Sequence, residues 1–113
     1  MIQLDIKPEL LSQAIITTIE VKKIAKRVRV EFDYFEKIDK WMMAIYDAQS
    51  GESYCTNIPV IASYEAKNNL IEPYRHKNLG EVVCVPTIES PSSADPGKEN
   101  MSEFAVIWGE EIA

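Results

Sequence analysis

Residues 26–46 read KRVRVEFDYFEKIDKWMMAIY, and the alternation of their side chains decides the fold class. In residues 26–34, Arg27, Arg29, Glu31 and Asp33 take one parity, while Val28, Val30, Phe32 and Tyr34 take the other. A β-strand turns successive side chains to opposite faces, so this parity gives one wet face and one core face. Residues 35–40 form a short polar break. Residues 41–46 then resume as an apolar run with large side chains on both parities, which predicts a strand covered on both sides. The core anchors expected from this pair of strands are Phe32, Tyr34, Trp41 and Ile45.

Toward the N terminus, residues 14–22 (AIITTIEVK) are rich in β-branched side chains, which crowd a helix and suit a pleated surface. Before them Ile2, Leu4 and Ile6 alternate with Gln3, Asp5 and Lys7 and are stopped by Pro8, the pattern of a short first strand. Toward the C terminus, Gly51 closes the turn segment 47–51 and supplies the positive φ of a hairpin, with residues 54–61 as the return strand. Residues 65–71 are left open between a helical turn and a loop. Residues 82–85, stopped by Pro86, and residues 104–108 are two further strands. Between them the Pro/Ser-rich segment at about 89–102 lacks the apolar side chains that offset ordering entropy, and is expected to be a flexible loop.

Short strands separated by turns predict an all-β, mainly antiparallel fold: a small β-barrel or a two-sheet sandwich with at most one short helix. A length of 113 residues suits one domain spanning residues 1–113. No apolar run approaches the ~18 residues of a membrane span, and the first residues lack a leader pattern, so a soluble product of the cytoplasm is expected.

The net charge of −6 is unevenly placed. Residues 1–80 carry equal numbers of acids and bases, whereas residues 81–113 carry Lys98 against seven acids. The acidic candidates for partner contact are Glu89, Asp95, Glu99 and Glu103, and the basic candidates are Lys22, Lys23, Lys26, Arg27 and Arg29. The basic segment also raises a second reading, a small barrel that binds single-stranded nucleic acid through residues 22–29. The acidic total charge and the core parity of most aromatics weigh against it.

Chemistry finds little support. The lone histidine, His76, sits among Arg75 and Lys77, whose charges repel a metal ion. Glu31 and Asp33 share a strand face as paired acids do in glycosidases, but Arg27 and Arg29 continue that face, which reads as a solvated surface. Cys55 and Cys84 form no CxxC pair, and the four glycines are scattered singly. No enzyme activity, catalytic residue, metal or cofactor is expected.

Residues 28–51, VRVEFDYFEKIDKWMMAIYDAQSG, combine an alternating strand ending in an aromatic, a polar turn, a Trp opening the next strand, and Asp-x-x-x-Gly. This pattern resembles the baseplate plug proteins of contractile-tailed phages of the cyanophage and Mu-like type. Asn57-Ile58-Pro59-Val60, Leu79-Gly80-Glu81-Val82-Val83 and the final aromatic strand at 104–108 extend the resemblance over about residues 14–110. The resemblance implies a virion structural protein made in the host bacterial cytoplasm and assembled into the tail baseplate. There it would close the distal tube through contacts with hub and spike proteins, with association between copies as a further expectation.

Overall fold

The strand parity of residues 26–46 recurs in a computed structural model of the chain, which describes residues 1–64 and 68–110. Seven strands run in the order β1 (Ile2–Leu4), β2 (Ser12–Val21), β3 (Ile24–Phe35), β4 (Lys40–Asp47), β5 (Ser53–Pro59), β6 (Glu81–Pro86) and β7 (Phe104–Gly109). They form a four-stranded sheet, β2-β3-β4-β5, and a three-stranded sheet, β1-β7-β6, both antiparallel throughout. Where the sequence allowed at most one short helix, three brief 3-10 turns occur, at Glu36–Ile38, Glu72–Lys77 and Met101–Glu103.

One core lies between the sheets. Val28, Val30 and Phe32 of β3 and Trp41, Met43 and Ile45 of β4 meet Val82 and Cys84 of β6 and Val106 and Trp108 of β7. Phe32, Trp41 and Ile45 are fully buried, whereas Tyr34 is half-buried at the rim of this core. Each buried indole N–H needs an acceptor. Trp41 Nε1 donates to the Gly97 carbonyl at 2.9 Å and Trp108 Nε1 to the Leu79 carbonyl at 2.6 Å.

Strand β4 departs from the expected double cover. Trp41, Met43 and Ile45 are buried, but Met42, Ala44 and Tyr46 on the other face are only half-buried. Among the described residues no second layer covers that face; side chains of the sheet itself shelter it, with the Arg29 guanidinium 5.0 Å from the Tyr46 ring centre. The hairpin after β4 forms as read: Asp47 Oδ1 accepts from the amides of Gln49 and Ser50, and Gly51 has φ +79°. Strand β5 ends at Pro59, earlier than expected, after register shifts against β4.

The open segment 65–71 falls partly outside the described residues, at 65–67. From residue 69 onward it lies along β6: the Leu70 amide donates to the Val82 carbonyl and the Val82 amide to Asn69 Oδ1. On the same edge Ala62 forms a parallel bridge with Cys84.

The segment at 89–102, expected from composition to be a flexible loop, carries single polar bonds to the rest of the fold in its second half. Pro96, Gly97 and Asn100 are buried, and Asp95 bonds Lys40 Nζ at 2.9 Å and the Ala62 amide at 2.9 Å. Asn100 Oδ1 accepts from the Gly97 amide. Glu89 and Ser90 in the first half are exposed.

Candidate functional site

Strand β3 separates two differently charged ends. Its twelve residues, at ~3.3 Å each, span about 40 Å, which matches the longest extent of the molecule, 38 Å.

At the start of β3 stands a tight turn made by Lys22 and Lys23, with φ of 53° and 65°. Both central residues of this kind of hairpin need positive φ, a position that usually falls to Asn or Gly. The turn is held from outside: the Lys22 amide donates to Glu110 Oε1 at 2.8 Å and Lys22 Nζ reaches Asn78 Oδ1 at 3.3 Å. Lys26 Nζ bonds the carbonyls of Lys77 and Asn78 at 3.1 and 3.3 Å. The basic hairpin therefore meets the distant segment 75–78, which brings His76 and Lys77 to the same end.

The five basic candidates do not form one patch. Strand parity turns Lys26 to the side of Val28, toward Lys77, while Arg27 and Arg29 point to the other face. Arg29 lies mid-sheet, 3.0 Å from Glu31 and stacked on Tyr46. Lys22, Lys23 and Arg27 are exposed.

The acidic candidates divide in the same way. Asp95 is committed to Lys40 and Ala62 inside the fold, and Glu103 accepts from the amide and hydroxyl of Ser92. Glu89 and Glu99 are exposed. Glu99 shares a shallow depression at the end of β3 with Tyr34, Glu36, Asp39 and one base, Lys98.

Tyr34 Oη donates to Asp39 Oδ1 at 2.6 Å, and the Lys98 amide donates to the same oxygen. The hydrogen bond from the Tyr34 hydroxyl, and after it the one from the Lys98 amide, hold the Asp39 carboxyl below its ordinary range. The carboxylate in turn pushes the Tyr34 hydroxyl up to about 12.

Beside this depression Phe35 and Ile38 are 50% and 56% exposed, so the acidic end also presents apolar surface. Sequence reading passed over both, because it took residues 35–40 as a polar break. Two large apolar residues, one ending β3 and one inside the turn Glu36–Ile38, were the available signal.

Cys55, Cys84, Glu31 and Asp33 are each committed to the fold or the sheet surface. Burial pushes the thiols of Cys55 and Cys84 up to about 11 and about 12, so both stay protonated at neutral pH. Asp33 accepts from the Ser12 hydroxyl at 2.6 Å and Glu31 pairs with Arg29, so these two acids serve the sheet surface. Among the described residues no group of three His, Cys, Asp or Glu is placed to hold a metal ion, and no helix is long and apolar enough to cross a membrane.

A family model described as cyanophage baseplate Pam3 plug gp18 matches residues 1–111. The chain belongs to this baseplate plug family. No curated protein matches the chain significantly. As a baseplate plug protein it is a structural component of a phage tail baseplate, and its partners are other phage tail proteins. The match takes in β1, beyond the residues 14–110 that carried the resemblance.

Proposed function

We propose that this baseplate plug protein closes the distal end of the tail tube by binding hub and spike proteins through the two ends of β3. The family match over residues 1–111 carries the reading. At one end Lys22, Lys23 and Arg27 offer exposed positive charge. At the other, Phe35 and Ile38 offer apolar anchors flanked by Glu36 and Glu99. Desolvated apolar groups supply most of the energy of an interface, while rim charges set approach and register. Such a part is made in the host cytoplasm, joins the baseplate during assembly, and transforms no substrate.

Lysine-directed cross-linking of purified tails, read by mass spectrometry, tests this. Links from Lys22 or Lys23 to hub or spike proteins are the expected outcome. Links confined to sheath or capsid proteins would contradict the proposal.

A further inference from the structure

Antiparallel sheets leave two edges each, and natural proteins blunt such edges with prolines, lysines, bulges, short strands or covering segments. Among the described residues three of the four edges are treated in that way. Strand β1 has three residues, β5 carries register shifts, a positive φ at Asn57 and Pro59, and β6 is lined by Ala62, Asn69 and Leu70. Strand β2 has none of these devices. It runs ten residues in unbroken register with β3, contains no proline or lysine, and carries one charge, Glu20. Among the described residues no strand pairs with its outer edge. Ile16, at its middle, is 55% exposed on the outer face.

The same strand is complementary to itself. In an antiparallel pair centred on Ile16, the two Ile16 side chains meet, Ala14 faces Thr18, and Glu20 faces Ser12 of the other copy. No like charges oppose each other, and residues 12–20 are used in full. A register centred on Thr18 would instead set the Glu20 carboxylate against Ile16 and shorten the overlap.

We propose that β2 pairs with β2 of a second copy about a two-fold axis through Ile16, joining two four-stranded sheets into one of eight strands. The row Tyr46, Arg29, Ile16 then continues across the axis into the matching row of the other copy. Below the junction lies a cleft of about 310 Å³ between the sheet edges, lined by Ile2, Val21, Trp108 and Glu110 among others, which the incoming strand would roof.

Cysteine cross-linking in the full chain reads this register directly. Residues directly opposite in an antiparallel pair have Cα atoms ~4.5–5.5 Å apart, within disulfide range. Ile16→Cys is therefore expected to give an interchain disulfide under mild oxidation, since the native Cys55 and Cys84 are buried. Ser12→Cys alone is expected to give none, because the two copies of position 12 stand ~27 Å apart at ~3.4 Å per residue. Ser12→Cys mixed with Glu20→Cys is expected to cross-link. In sedimentation the native chain is expected to form dimers, and Ile16→Lys to lose them while keeping the native far-ultraviolet circular dichroism, because that side chain is exposed in the single chain; its unfolding midpoint is expected to match that of the native chain diluted to monomer.

A native chain that stays monomeric, or Ser12→Cys linking to itself as well as Ile16→Cys does, would overturn the proposal. So would an Ile16→Cys thiol that links only to a different tail protein. The inference rests on the edge of β2 and not on the hub and spike reading. A monomer still present in baseplates would remove self-pairing alone, and a dimer absent from tails would remove the plug reading alone.

Discussion

The indole Nε1 of Trp41 donates to the carbonyl oxygen of Gly97 at 2.9 Å, which joins a central strand of the larger sheet to the loop that precedes β7. Trp41 is fully buried and Gly97 is buried with it. Two separate contributions follow. Trp41→Ala is expected to destabilise by ~3–5 kcal/mol as a core truncation. Trp41→Phe keeps most of the apolar volume but leaves the Gly97 carbonyl without its donor, and is expected to lose ~1–3 kcal/mol. Urea unfolding of both variants measures the two effects, and a loss below ~0.5 kcal/mol in each would show that the bond does not hold the loop.

Removal of residues 92–97 tests the loop from the other side. Closure entropy alone changes slowly with loop length, so a solvated loop would tolerate the deletion. Here it removes the acceptor of Trp41 and both bonds of Asp95. A loss above ~2 kcal/mol is expected, since a buried N–H is left unpaired. Unchanged stability would restore the picture of an untethered loop.

Gly80 and Gly51 separate backbone strain from steric overlap. Both have positive φ, +82° and +79°. A Cβ at Gly51 meets open space, so Gly51→Ala is expected to lose ~1 kcal/mol from the left-handed conformation alone. A Cβ at Gly80 would collide with the Gly109 carbonyl, backbone that closes the β6-β7 pair. Gly80→Ala is expected to lose more than ~2 kcal/mol, and equal losses for the two variants would contradict the collision.

The Tyr34–Asp39 bond predicts a two-sided pH dependence. The depressed carboxyl of Asp39 contributes stability that is present above its ordinary pKa of ~3.9 and is lost as pH falls through the folded value. Tyr34, raised to about 12, contributes stability that is present below its ordinary ~10 and is lost as pH rises from there through about 12. Both groups are solvent-accessible, so the effect is small and weakened by salt. The difference in urea midpoint between the native chain and Tyr34→Phe is expected to be largest between about pH 4 and pH 10. A difference that is constant from pH 3 to pH 11 would contradict the assignment.

Much of the larger sheet was legible in residues 26–46, because side-chain parity is a local property and Val28, Val30 and Phe32 face Trp41, Met43 and Ile45 across one core. The same parity already separates Lys26 from Arg27, so the division of the basic segment was readable in principle. The docking of Lys26 on Lys77 and Asn78 was not, since it joins residues 51 and 52 positions apart through backbone carbonyls that carry no side-chain signal. The contacts of the loop at 89–102 were not legible for a related reason. Composition registers missing apolar side chains, whereas Asp95, Gly97 and Asn100 are held by individual polar bonds to Lys40, Trp41 and one another. At the acidic end, Phe35 and Ile38 were hidden inside a segment classed as polar, although their exposure makes them the better anchor candidates.

Electron cryo-microscopy of assembled tails tests the central claim most directly. The expected result is density for this two-sheet fold at the distal end of the tube, with the turn at Lys22 and the 3-10 turn at Glu36–Ile38 against neighbouring hub and spike proteins. Finding the chain absent from purified tails, or seated away from the tube mouth, would contradict it.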